Sequence, residues 1–259
     1  MTANLLPVTN DYRTLPRLTS GLFRRQATAF FYAQVFMIVL KASRLAKKGR
    51  YGNAQWIKSS INTLKALESV GGRFDIENVA AHAMLASPCV FIANHMSVLE
   101  TFILPGLIQP QRDVTFVVKA SLIDYPLFRH VMRSRNPIVV GRANPRQDLR
   151  TVLEEGQKRL NSQVSIVIFP QTTRSIEFEP GDFNTLGIKL AKRARVPVVP
   201  IALKTDAWGL GGKLKDFGKI RPAKTVHICF GEPLRVKGSG KEEHRIVVDF
   251  ITSKLKEWH

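Results

Sequence analysis

Residues 94–100 read Asn-His-Met-Ser-Val-Leu-Glu, placing a histidine and a carboxylate five positions apart at the exit of an apolar run. On one continuous helix, residues five apart lie about 140° round the axis and do not face each other. A histidine just before the helix escapes that limit, because its ring can fold back over the first turn. Glu100 can then accept from one nitrogen of His95 while the other nitrogen is left to take a proton from a hydroxyl. The same stretch also fits a plainer purpose. Ser97-x-x-Glu100 is a capping box, with Ser97 capping a helix and Glu100 reaching back to the Ser97 amide. Both accounts can hold together, and they make Ser97 a cap rather than a nucleophile.

The elements that would position this pair follow from periodicity. Short apolar runs at 89–94, 114–119, 137–141, 164–169, 196–203 and 226–230 read as strands. Helical patterns lie between and after them, at 97–107, 145–161, 184–194 and 243–257. Alternation of this kind predicts an α/β fold, a largely buried mixed sheet covered by helices. Pro197 and Pro200 make the fifth run an expected edge or irregular strand. The segment 209–219, Gly-Leu-Gly-Gly-Lys-Leu-Lys-Asp-Phe-Gly-Lys, reads as a basic loop and lacks the spacing of a phosphate loop.

The N-terminal part differs in character. Residues 27–40, ATAFFYAQVFMIVL, are nearly free of polar interruption. As a helix they span about 21 Å, short of a hydrocarbon layer about 30 Å thick. Arg24 and Arg25 precede the run, and Lys41, Arg44, Lys47, Lys48 and Arg50 follow it. Basic flanks on both sides suit a helix dipped into one anionic leaflet. A second helix is predicted over 53–70, ending at Gly71-Gly72. The expected organisation is a membrane-docking helical hairpin at 1–75 and an α/β domain at 76–259.

Charge narrows the partners. The chain of 259 residues carries 39 Lys+Arg against 20 Asp+Glu, a formal +19. Such a field attracts anionic lipid, phosphorylated substrates or nucleic acid. The 15 Phe, against 3 Trp and 4 Tyr, sit largely within apolar runs and not among basic residues. A base-stacking platform needs the other arrangement, so nucleic acid is not expected as a partner. The two cysteines, Cys89 and Cys229, read as buried free thiols. The chain shows no metal-ligand spacing. His82, His130, His227, His244 and His259 have no partner spacing like that of His95.

Four blocks together carry a resemblance: NHMSVLE (94–100); VVKASLIDYPLF with NPIVVGR (within 117–142); FPQTTRS (169–175); and VPVVPIAL (196–203). In this order they resemble the glycerolipid acyltransferases, in particular the 1-acylglycerol-3-phosphate (lysophosphatidic acid) acyltransferase family, over roughly residues 85–232. The first is similar to that family's NHx₄D box and the third to its Phe-Pro-Glu-Gly-Thr-Arg. The resemblance implies acyl transfer from acyl-CoA or an acyl carrier protein thioester to a lysolipid hydroxyl, with no cofactor beyond that thioester and no metal. It implies His95 as base with Glu100 bracing it. It also implies acceptor binding by Arg142 and Arg174 at the phosphate, with Lys119 and Thr173 alongside. A monotopic protein on the cytoplasmic face of an anionic membrane is expected.

The chain departs from the family pattern in places. Glu100 stands for Asp, Gln171 for Glu and Thr172 for Gly, and Arg129-His130 lie near a usual glycine. Threonine restricts the backbone where a tight loop would approach the acceptor phosphate. These changes bear on the headgroup more than on the chemistry. They keep two alternatives open: another acceptor such as lyso-ornithine lipid, or a non-catalytic basic membrane-binding protein on the same scaffold.

Overall fold

The computed structural model describes residues 11–15, 26–126, 128–212 and 216–258. Arg24 and Arg25, the Lys213-Leu214 pair of the basic loop, and His259 lie outside them. The strands form one eight-stranded sheet: β1 (Tyr12–Arg13), β2 (Arg73–Glu77), β3 (Val90–Ala93), β4 (Val114–Lys119), β5 (Ile138–Val140), β6 (Ser165–Ile168), β7 (Val198–Lys204) and β8 (Thr225–Phe230). Their spatial order is β1-β2-β8-β7-β3-β6-β4-β5. Pairing is parallel except at β1–β2 and β7–β8. The fold is therefore a mixed α/β sheet.

The pleat sorts side chains between two apolar layers. Phe91, Ala93, Val199, Ile201 and Leu203 face α1 (Ala27–Lys47), α2 (Asn53–Ser69) and α3 (Leu99–Ile108). Val90, Ile92, Val198 and Ala202 face α5 (Pro145–Asn161), α6 (Leu186–Ala194) and α7 (Lys241–Glu257), while the short α4 (Phe128–Ser134) packs in the first layer with α1. With both faces covered, the central strands read as unbroken apolar runs. Gly106 of α3 lets α2 come close, since a Cβ there would stand 2.8 Å from Ser60 Cβ.

Two expectations need correction. The proline-bearing run is not an edge: β7 lies near the centre, between β3 and β8. Pro200 turns its carbonyl to the Gly231 amide at 2.8 Å, one residue past the end of β8. Because the N–H and C=O of one strand residue face the same neighbour, the missing donor falls where that ladder has run out. The apolar run 27–40 is not the whole helix either. Its Lys, Ala, Arg and Leu successors are strong helix formers, so α1 continues to Lys47, 21 residues in all. At about 31 Å, it is long and apolar enough to cross a membrane by length and composition.

The helix α1 buries one stripe, Phe31, Val35, Val39 and Ala42, against the sheet layer. Its other side is open, with Phe36 52% and Met37 59% exposed. Only 28% of its most apolar window is covered by the protein. The boundary expected at residue 75 falls inside β2, and α1 and α2 share the apolar cluster of the sheet face they cover.

Candidate active site

The strand β3 is the fourth from one edge of the sheet, and its carboxyl end opens onto the turn 94–98. Asn94 fixes that end. Its side-chain amide donates to Leu203 O and its Oδ1 accepts from Leu203 N, both at 2.8 Å, bridging β3 to β7. His95 follows, half-buried, with its carbonyl accepting from Ser175 N at 3.0 Å. Its backbone N–H donates to Gln171 Oε1 at 2.5 Å.

The structure brings His95 and Glu100 together. Nδ1 of His95 lies 2.6 Å from Glu100 Oε2, with side-chain exposures of 15% and 0%. The other carboxylate oxygen, Oε1, accepts from Met96 N at 2.9 Å, Ser97 N at 2.7 Å and Thr205 Oγ at 2.5 Å. Burying a carboxylate is costly unless donors surround it; here three converge on one oxygen and the imidazole on the other. The first-turn position adds the favourable end of the α3 dipole. The imidazole stacks on Phe169, centroids 4.3 Å apart and planes 17° apart, which holds the ring plane. With Nδ1 donating to the carboxylate, Nε2 carries the lone pair, and it has no hydrogen-bond partner among the described residues.

The capping arrangement is present, shifted by one. Glu100 reaches the Ser97 amide, while Ser97 Oγ accepts from Leu99 N at 3.1 Å and donates to Thr205 Oγ at 2.9 Å. Ser97 is thus tied on both sides and 1% exposed.

One arginine reaches the 169–175 loop and the other projects from it. Arg142 follows β5 and sits in the left-handed region at φ 62°. That conformation is uncommon for a non-glycine residue, and Asp148 offsets its cost by accepting from Gly141 N at 2.9 Å and Arg142 N at 2.8 Å. The Arg142 guanidinium donates to the Thr172 carbonyl. Arg174 is ion-paired to Asp216. The Arg142 guanidinium therefore rests on the 169–175 loop, and that of Arg174, itself on the loop, reaches Asp216 in the segment after β7; each is already engaged. Thr173 is exposed on that loop. The side chain of Lys119, exposed at the end of β4, makes no hydrogen bond or ion pair among the described residues. Thr172 does not have positive φ, so threonine fits there without the backbone strain expected.

Gln171, Phe169 and Thr205 all hold His95 or Glu100, and their positions in the sequence do not announce it. Phe169 and Gln171 lie inside the third block, and Thr205 lies just past the fourth. The signal available was adjacency to those blocks.

The family model described as Acyltransferase matches residues 73–204, just over half the chain. A 1-acyl-sn-glycerol-3-phosphate acyltransferase of Pseudomonas aeruginosa is 25% identical over 215 residues, covering 83% of this chain and 79% of its own length. A 1-acyl-sn-glycerol-3-phosphate acyltransferase of Cocos nucifera is 28% identical over 62% of this chain, which spans about half (51%) of that relative. The crystal structure of the 1-acyl-sn-glycerophosphate (LPA) acyltransferase PlsC from Thermotoga maritima superposes with a TM-score of 0.67 at 18% identity, over 91% of this chain and 96% of that one, a shared fold. With its four blocks in order and the imidazole–carboxylate corner assembled, the chain belongs to the Acyltransferase family.

Proposed function

We propose that the protein transfers a fatty acyl group from a thioester to the free hydroxyl of 1-acylglycerol-3-phosphate, giving phosphatidic acid. The observation that carries this reading is the His95–Glu100 contact at 2.6 Å, with the far nitrogen of the ring unbonded among the described residues. The names carried by the relatives supply the acceptor. His95 Nε2 takes the hydroxyl proton as the oxygen attacks the thioester carbonyl. Collapse of the tetrahedral adduct breaks the C–S bond, and the proton on His95 passes to the departing thiolate. Glu100 keeps the tautomer and stabilises the imidazolium between the two transfers. No acyl-enzyme is required, and Ser97 stays a cap.

Arg142 and Arg174 would take the acceptor phosphate, which suits the planar donor fork of a guanidinium. Lys119 and Thr173 stand at the same end of the sheet. The donor would be acyl-CoA or acyl carrier protein. The N-terminal helices α1 and α2 would dock the protein on the cytoplasmic leaflet, with Phe36 and Met37 of α1 entering the acyl region. Each such side chain contributes about 1.5–3 kcal/mol when fully buried. Basic residues near an anionic surface add about 1 kcal/mol apiece. A site at the interface meets both lipids without extracting them into water.

The test is acyl transfer in anionic liposomes with purified protein and labelled thioester. Lysophosphatidic acid should be acylated well and phosphate-free monoacylglycerol poorly. Equal rates on the two acceptors would remove the arginines from the account and favour another headgroup.

A further inference from the structure

Arg174, one of the two residues offered to the acceptor phosphate, already has an anion on it. Its side chain is 17% exposed and its guanidinium pairs with the Asp216 carboxylate, itself 37% exposed. The two residues are 42 apart in sequence, so local geometry does not force the contact. Asp216 is held in place through its backbone: its carbonyl accepts from Trp208 Nε1 at 3.1 Å. Trp208 is 3% exposed, wedged edge-on to Phe31 of α1 at 4.8 Å and stacked with Phe102 of α3 at 5.7 Å.

The residues after Asp216 are tied to α1. Tyr32 Oη donates to the Gly218 carbonyl at 2.7 Å, and Ile220 N donates to Thr28 Oγ at 3.1 Å. Burial pushes the Tyr32 hydroxyl up to about 12, so it remains a donor. At Gly218 a Cβ would come 1.8 Å from Gly209 O, so this crossing admits only glycine. The carboxylate is thus delivered to Arg174 by a braced segment.

The Asp216 carboxylate engages one donor nitrogen of the Arg174 guanidinium that a phosphate monoester would use. Resting on the acceptor reading above, we propose that Asp216 is an internal competitor for the acceptor phosphate at Arg174, setting acceptor affinity and keeping free phosphate off the site. In a chain of formal charge +19, an unguarded, partly buried guanidinium would hold inorganic phosphate as readily as a headgroup. A dianionic lipid phosphate, anchored by its acyl chain, displaces Asp216 from Arg174; a free anion lacks that anchor.

The sign of one substitution separates this from a supporting role. If Asp216 competes, Asp216→Asn lowers KM for lysophosphatidic acid roughly three- to fivefold, the range of a partly exposed ion pair. It leaves kcat unchanged, leaves KM for monoacylglycerol unchanged, and strengthens inhibition by inorganic phosphate by a similar factor. If Asp216 merely orients Arg174, KM for lysophosphatidic acid rises and phosphate inhibition weakens, which overturns the proposal. Unchanged constants overturn it as well. Tyr32→Phe, which loosens the tether without touching the ion pair, should move the same constants in the same direction by less. Wild type decides the parent reading separately: no acylation of lysophosphatidic acid sinks that reading and this one together, whereas normal wild-type activity with a raised or unaltered variant KM sinks only this one.

Discussion

Two histidines of this chain sit in opposite company. His95 meets a carboxylate through Nδ1 and leaves Nε2 without a hydrogen-bond partner among the described residues. His82 meets a cation: Arg112 Nε donates to its Nδ1 at 3.2 Å, and a second Arg112 nitrogen binds its carbonyl. The His82 ring is 0% exposed, between Phe91 at 5.1 Å and Phe230 at 5.4 Å. Burial first, and the guanidinium second, push His82 down to about 3. A ring so placed stays neutral and inert. The contrast teaches that the sign of the neighbour and one open edge, not the residue type, make a histidine a base.

The largest effect should come from His95→Ala. Loss of general-base assistance is expected to lower kcat by about 10²–10⁴-fold, and the unfolding midpoint should fall as well, because the buried Glu100 carboxylate loses its donor on Oε2. A rate within tenfold of wild type in the liposome assay would place the chemistry elsewhere. Glu100→Gln comes next, at about 10²-fold or more in kcat. An amide presents N–H where Nδ1–H needs an acceptor, or else turns and faces the Met96 and Ser97 amides. The signature is a fall in kcat with KM held. An unchanged kcat with a lowered unfolding midpoint would make Glu100 a packing residue only.

For His82 the effect is on stability. Between pH 3 and 6.5 the unfolded chain binds a proton at this residue and the folded chain does not, given a folded value of about 3. Stability attributable to this residue is therefore complete above about pH 6.5 and declines on acidification by about 1.4 kcal/mol per pH unit. From pH 7 to 5 that is a loss of about 2 kcal/mol. Urea unfolding across this range should show the slope in wild type and a shallower one in His82→Gln. Equal slopes in wild type and His82→Gln would mean that the ring titrates freely, and the contrast would fail.

What the residue order revealed follows the range of the interactions. The strand β4 and helix α5 occupy the spans read from pattern, 114–119 and 145–161. In α5 the limits are local: Pro145 starts the helix and Asn144 caps it, accepting from Arg146 and Gln147 amides. The strand β2, Arg-Phe-Asp-Ile-Glu, passes unnoticed because charged residues alternate with apolar ones near the sheet edge. The His95–Glu100 contact spans five residues and could be seen in the spacing. Thr205 reaches Glu100 across 105 residues and Asp216 reaches Arg174 across 42, and no local pattern encodes either. The chemistry is legible where it is local; its bracing and its headgroup control are made by the fold.

Thr205 gives the smallest expected effect and the finest test of the bracing. Its hydroxyl donates to Glu100 Oε1 at 2.5 Å and accepts from Ser97 Oγ at 2.9 Å. Thr205→Val keeps the shape, removes one of the four donors on the carboxylate, and leaves the Ser97 hydroxyl buried without its acceptor. Stability should fall by about 1–2 kcal/mol, the cost of orphaning a buried polar group. If the carboxylate must be held still to orient His95, kcat should fall about five- to tenfold with KM unchanged, and Thr205→Ser should restore both. A stability loss without a kcat loss would show that Glu100 keeps its place through the Met96 and Ser97 amides alone. The line between an active histidine and an inert one would then be drawn within residues 95–100, with β7 contributing only packing.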